Sequence, residues 1–171
     1  MVKSMSPDPT NSSSPARDSG SPATLDPGLT ALVAAHNIGA LATIKPDGRP
    51  RLSAVNFTFD PATAMARISA IEDRVSVHDM RRDPRASIFV ANPDGWAYAV
   101  LEGTVQLSPV AAAPDDDTVE ELVEVYRAIR GVEHPDWDDF RAAMVADCRL
   151  VAGLRVESAY GLPGPDFSIP A

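Results

Sequence analysis

At 171 residues, 44% of them hydrophobic, the chain has the size and composition of one globular domain with a real core. A formal net charge of −9 and a pI near 4.7 argue against nucleic acid as a main partner and against a polybasic membrane contact, since both need a broad basic surface. No apolar run approaches the roughly 18–20 residues of a membrane span. With Cys148 as the sole cysteine there is no internal disulfide and no cysteine-rich metal site.

Residues 1–24 are rich in Ser, Pro, Asp and Thr and lack the apolar segment of a secretory signal. They read as a disordered tail with too little apolar surface to offset ordering entropy, and the expected location is the cytoplasm. The expected folded domain is 25–164, followed by a short tail, 165–171. Asp26-Pro27 opens a helix as N-cap and first helical residue, Leu29, Leu32 and Val33 form its apolar stripe, and Asn37 and Gly39 end it. Gly39–Ile44 and Pro50–Phe59 read as a hairpin across the turn Lys45-Pro46-Asp47-Gly48-Arg49. After the Asp60-Pro61 turn, Met65–Ile71 is a third strand, with Ala66, Ile68 and Ala70 on one face and Met65, Arg67 and Ser69 on the other.

Glu72–Arg82 reads as a short helix with Val75, Val77 and Met80 inward, stopped by Asp83-Pro84. Arg85–Ala91 is a strand, Asn92-Pro93-Asp94-Gly95 a turn, and Trp96–Leu107 a long strand with a bulge signal at Glu102-Gly103. Asp115-Asp116-Asp117 leads into a helix through Arg130, whose Val119, Leu122, Val123, Tyr126 and Ile129 recur at helical spacing. A further helix starts within His134–Asp139 and reaches Asp147, and Leu150–Val156 is the last strand. The expected fold is mainly β (α+β): about six antiparallel strands in a small barrel with peripheral helices.

Charge is unevenly placed. Residues 45–85 carry eight of the fifteen basic residues against six acids, which makes this window net +2 and leaves the rest of the chain at −11. A positive patch on a β framework in an acidic protein points to a compact anionic ligand, phosphate first. Arg49, Arg51 and Arg74 are the candidate contacts, together with the start of the helix after Ile71, because helix N-termini offer free N–H groups to anions. Arg81, Arg82 and Arg85 read instead as a solvated helix face pairing with Asp79 and Asp83. His36, His78 and His134 fall in no nucleophile motif. Asp136, Asp138 and Asp139 read as a solvated helix start rather than metal ligands, and Cys148 is expected to be buried. Trp96 and Tyr98, two apart on a strand, share a face that more often belongs to a core than to a stacking platform.

Gly39-Ala40-Leu41-Ala42-Thr43-Ile44, Asp47-Gly48-Arg49-Pro50 and Arg51-Leu52-Ser53-Ala54-Val55 together resemble the opening hairpin of the pyridoxamine-5′-phosphate-oxidase-like split barrels. Arg81-Arg82-Asp83-Pro84-Arg85-Ala86-Ser87, Asp94-Gly95-Trp96-Ala97-Tyr98-Ala99-Val100 and Glu102-Gly103 resemble, more narrowly, the actinobacterial flavin/deazaflavin oxidoreductases of group B, the F420-dependent type. The resemblance spans about residues 28–163. It implies an FMN-binding type of split barrel, a homodimer with cofactor sites at the subunit interface, coenzyme F420 as cofactor with FMN as the alternative, and hydride transfer to a small unsaturated or conjugated substrate. A carrier that binds F420 without turnover is a further alternative. By resemblance, Arg51, Leu52, Ser53 and Asn56 lie near the tricyclic ring, Ser69 and Ala70 near the polyol and phosphate, and Trp96 and Tyr98 in a wall given by the partner subunit. The family often has Arg-x-Lys at the helix start. Arg74 matches, whereas Ser76 stands at the lysine position, and Arg49 or Arg51 is expected to compensate. No catalytic residue follows from the resemblance, and no metal is implied.

Overall fold

The computed structural model describes residues 25–164; the expected tails, 1–24 and 165–171, lie outside them. In chain order the described residues form α1 (Pro27–Ala34), β1 (Ile38–Ile44), β2 (Pro50–Asn56), β3 (Thr58–Asp60), β4 (Met65–Ile71), α2 (Val75–Arg82), β5 (Arg85–Ala91), β6 (Tyr98–Leu107), α3 (Asp117–Arg130), α4 (Trp137–Ala146) and β7 (Arg149–Leu162). The strands make one antiparallel sheet in the order β2-β1-β5-β6-β7-β4-β3. No helix among these residues is long and apolar enough to cross a membrane.

The expected single strand Pro50–Phe59 is two strands, so the sheet has seven rather than about six. β2 and β3 sit at opposite edges of the strand order yet are separated in sequence by Phe57 alone. The Phe57 N–H leaves the ladder to donate to the Asn37 carbonyl at 3.0 Å, and the ring is fully buried. A chain that runs from one edge to the other through one buried residue forces the sheet to curl on itself. The result is a partly closed barrel, which limits exposed edges. Its interior is filled by side chains such as Phe57, Ile88, Leu101, Leu150 and Leu154, and a smaller apolar cluster joins Val119, Leu122, Val125 and Met144 of the α3–α4 layer to Val151 of β7.

Four local expectations need correction. Trp96 is not on β6, because the Asp94 carboxylate accepts its N–H at 3.0 Å and prolongs the turn to Tyr98, leaving the indole 72% exposed. β7 extends far beyond Val156, since Ser158–Leu162 continue to pair with the first half of β6 across a register shift at Glu102/Gly103 that leaves Glu157 without a partner in the ladder. That shift is the expected bulge. α2 begins at Val75 with Arg74 as N-cap, and Val75 faces solvent while Val77 and Met80 are buried. Cys148 is exposed: at the tight α4–β7 junction its φ is +50°, its N–H bonds the Val145 carbonyl and its carbonyl accepts from the Glu72 N–H.

The acidic helix starts behave as caps. Asp136 accepts from the Asp139 N–H at 3.0 Å. Asp116 accepts from Ala112, Ala113 and Val119 N–H groups at 2.7, 3.1 and 2.8 Å, which tie the loop after β6 to the start of α3. The Ala112 and Val119 amides hold its carboxyl below the ordinary carboxylate range. Asp116→Ala is expected to cost about 1–2 kcal/mol, as for a lost N-cap with extra donors. Thermal unfolding checks this, and an unchanged midpoint would remove Asp116 as the anchor of α3.

Candidate functional site

A cavity of about 660 Å³ lies between the sheet and the helical layer. Its floor is Ser53–Asn56 of β2 and Ile68–Ile71 of β4, and one end is Arg74, Val75 and Ser76 at the start of α2. The opposite wall comes from Leu122, Val125, Tyr126, Ile129 and Arg130 of α3 and from Phe140 and Met144 of α4, with Arg149 at the foot of β7. Consecutive residues of β2 point to opposite faces, and all four from Ser53 to Asn56 reach the cavity, so it opens along this edge strand.

The α2 end carries hydrogen-bond donors without protein partners among the described residues. An arginine side chain has no acceptor with which to cap a helix, and Arg74 makes no cap bond. The amides of Val77 and His78 return to the Arg74 carbonyl at 2.9 and 3.2 Å, whereas those of Val75 and Ser76 have no backbone acceptor among the described residues. Two free N–H groups, the positive end of the helix dipole, a serine hydroxyl and an exposed guanidinium therefore converge at one end of the cavity.

Of the residues singled out from the sequence, the fold brings Ser53, Asn56, Ser69, Ala70, Arg74 and Ser76 to this cavity. The Ser69 hydroxyl accepts from Arg149 Nη1 at 3.2 Å, so it also positions a cation that sequence reasoning missed. The others lie elsewhere. Arg51 Nε donates to Asp79 at 2.7 Å and does not line the cavity; its charge is committed to that buried carboxylate. Arg49 is exposed at the hairpin turn, where its N–H donates to Asp47. Leu52 and Trp96 are exposed, and Tyr98 stacks on Phe89 with ring centroids 6.0 Å apart.

Leu52 and Tyr98 belong to a second feature, the outer face of the sheet. Cross-strand register puts Leu52 beside Ala42, Phe89 between Ala40 and Val100, Val100 beside Tyr160, and Tyr98 beside Leu162. Ile38, Leu52, Phe89, Tyr160 and Leu162 are each more than two-fifths exposed there, a continuous apolar surface.

The basic window is mostly neutralised within the fold. Arg81 pairs with Glu72, Arg82 with Asp79 and Arg85 with Asp83. The Arg85 guanidinium beside Asp83 lowers its carboxyl to about 2. The anion argument thus narrows to Arg74, which forms no ion pair among the described residues. Of the histidines, the His36 ring bonds the Leu32 carbonyl, His78 is exposed on α2, and His134 packs against Tyr126. The apolar stripe of α3 was legible as a stripe; that its far half faces a cavity rather than a core was not, because nothing local distinguishes the two.

A family model described as pyridoxamine 5'-phosphate oxidase matches residues 25–155. Among solved structures, an F420 reductase superposes with a TM-score of 0.60 at 21% identity, over 80% of this chain and 98% of the other. A conserved hypothetical protein from Mycobacterium tuberculosis gives 0.62 at 19% identity, over 82% and 89% of the two chains. An FAD-binding protein from Mesorhizobium loti gives 0.55 at 17%, over 77% and 87%. At these identities the likeness is one of fold.

Proposed function

The chain belongs to the pyridoxamine 5'-phosphate oxidase family, and from that premise we propose that it is an oxidoreductase that uses coenzyme F420 for hydride transfer to a small unsaturated or conjugated substrate. The observation that carries this reading is the open start of α2, where Arg74 and the free amides of Val75 and Ser76 face a cavity large enough for a cofactor. The donor set fits a phosphate: charge from Arg74, two backbone N–H groups, and the Ser76 hydroxyl where a lysine is common in the family.

In this reading Arg74, Val75 and Ser76 hold the phosphate, Ser69 and Ala70 flank the polyol, and Ser53 and Asn56 border the ring. When bound, the deazaflavin supplies two-electron hydride chemistry. The chain's own residues bind and orient. Ser69 keeps Arg149 at the cavity's foot, and the Leu122, Val125 and Ile129 wall excludes water from the side opposite the sheet. The second reading is a flavin, FMN, in the same site; an FAD-binding protein shares the fold. A carrier without turnover would share the phosphate contacts and lack the reaction.

The proposal includes a homodimer. Its support is the uncovered apolar face running from Ile38 and Leu52 to Tyr160 and Leu162, next to a cavity that opens along β2. In this reading Trp96 and Tyr98 form the wall that each subunit lends to its partner's site. Light scattering is expected to give twice the 18.1 kDa chain mass; a monomer at micromolar concentration would undo the interface arrangement.

Titration of the purified protein with F420 and with FMN, followed by fluorescence, tests the cofactor reading. Arg74→Ala is expected to weaken binding by about 1.5–2 kcal/mol, the loss of a charge-assisted contact to phosphate. Ser76→Lys is expected to tighten it by about 1–2 kcal/mol, since it adds a second cation. Both effects should shrink as salt rises, because the site is open to solvent. If both substitutions leave both affinities unchanged, the phosphate does not bind at α2.

A further inference from the structure

The helical wall of the cavity is apolar except at its edge, where Arg130 ends α3. Its neighbour one turn earlier shows how an arginine is normally satisfied in this chain. Arg127 pairs with Glu124 at 2.8 Å and with Glu133 at 3.1 Å, and lies 4.8 Å over the Trp137 ring. Arg130 has no carboxylate partner among the described residues, although acids outnumber bases by nine in the chain.

The backbone that carries Arg130 is fixed. Gly131 adopts the left-handed conformation at φ +67° and returns its N–H to the Arg127 carbonyl at 2.8 Å. Asn37 donates to the Ile129 carbonyl at 2.8 Å, which pins the end of α3 to the segment before β1. These bonds occupy the Arg127 and Ile129 carbonyls. Arg130, an exposed and unpaired planar donor, thus stands on a fixed backbone at the rim of a surface made by Ile129, Tyr126 and Phe140.

We propose that this side of the cavity binds a flat apolar carboxylic acid, with its carboxylate on Arg130 and its unsaturated or aromatic body against Tyr126, Phe140 and Ile129. The inference rests on the oxidoreductase reading where it makes that acid the substrate class; the binding site itself does not depend on it. A carboxylate takes two parallel N–H bonds from a guanidinium, and an aromatic body gains from offset or edge contact with the two rings. The phosphate end, at α2, belongs to a different wall, so the two anions do not compete for one arginine.

The test is calorimetric titration of the full chain, free of cofactor, with trans-cinnamate and with its neutral isostere cinnamamide, in buffer containing inorganic phosphate to occupy the α2 end. Cinnamate is expected to bind at least about tenfold more tightly than the amide, the difference one charge-assisted contact makes. Arg130→Gln should abolish that preference while leaving the amide's affinity and the melting temperature unchanged. Phe140→Ala should weaken both probes, and Arg74→Ala should leave the preference intact. Equal affinities in the wild type, failure of both probes to bind, or a preference lost in Arg74→Ala and kept in Arg130→Gln would each overturn the proposal. The cofactor titrations on the α2 variants are read separately. Weakened F420 or FMN binding in Arg74→Ala without any cinnamate preference sinks this inference and spares the oxidoreductase reading, and the converse result does the opposite.

Discussion

Asp79→Ala is expected to lower the free energy of unfolding by about 3 kcal/mol, the low end of the cost of breaking a buried ion pair because both cations it serves still reach solvent. Asp79 itself is 3% exposed. One of its oxygens accepts from Arg51 Nε at 2.7 Å and from the Thr43 hydroxyl at 3.2 Å, and the other from Arg82 Nη1 at 3.2 Å. Thr43 is buried on β1, Arg51 is on β2, and Arg82 ends α2, where it also donates to the Ile44 carbonyl. One carboxylate therefore clamps α2 to the β1–β2 hairpin. Its removal strands two positive charges side by side and a buried hydroxyl without its partner. Urea unfolding reads the loss, and a variant within about 1 kcal/mol of wild type, the size of an ordinary surface pair, would show that the clamp carries little.

The same group sets an acid limb. Burial raises the Asp79 carboxyl, but the hydrogen bonds from Arg51 and Arg82 and the charge of Arg51 outweigh it and leave the carboxyl below its ordinary 3.8. A depressed folded value means that the contribution is fully present above the unfolded value and is lost as pH falls through the folded one. As pH falls below about 3.8 and through the depressed folded value, the wild type should lose stability relative to Asp79→Asn, whose curve carries no such step.

Gly103→Ala is expected to cost about 3 kcal/mol or more, the upper end of overpacking. A Cβ at this bulge position would stand 1.9 Å from the Arg155 carbonyl oxygen, an atom of the neighbouring strand's backbone that no rotamer change can move. The β6–β7 ladder would have to part at its centre. Gly153→Ala on β7 is the control: its nearest neighbour is the Met65 sulfur at 3.4 Å, so the change should stay within about 1 kcal/mol of neutral. Equal stability of the two variants would show that the bulge yields easily.

Much of the fold was legible because proline, glycine and aspartate carry local backbone information. Asp26-Pro27, Asp116 and Asp136 start helices where their side chains can cap, and Glu102-Gly103 marks the bulge. What was hidden is tertiary. Phe57 continues an apolar alternation, and only its bond to Asn37 breaks the strand. Glu157 and Ser158 look like a loop, but β7 runs through them: Ser158 pairs with Glu102 and Glu157 is the exposed residue skipped at the register shift, where polarity costs nothing. The candidate site divides the same way. Arg74 and Ser76 announce themselves at a helix start beside a turn, and Ser69 follows from strand alternation. Arg130 and Arg149 are carried in from distant segments by the α3–α4 layer and β7, and no spacing within the sequence links them to Arg74.

β6 and β7 are adjacent in the sheet, yet α3 and α4 are threaded between them. The two ends of that excursion are stapled together: Ser108 and Ala111 donate to the Val151 and Arg149 carbonyls, so the chain leaves and rejoins the sheet at one point. Lengthening the link between the helices carries only a slowly growing closure entropy. The barrel and the α2 end can then stay constant over evolutionary time while the wall facing them is rewritten, residue by residue or by insertion. Divergence of ligand preference among proteins built this way should concentrate in that one interval, leaving the strands on either side of it unaltered.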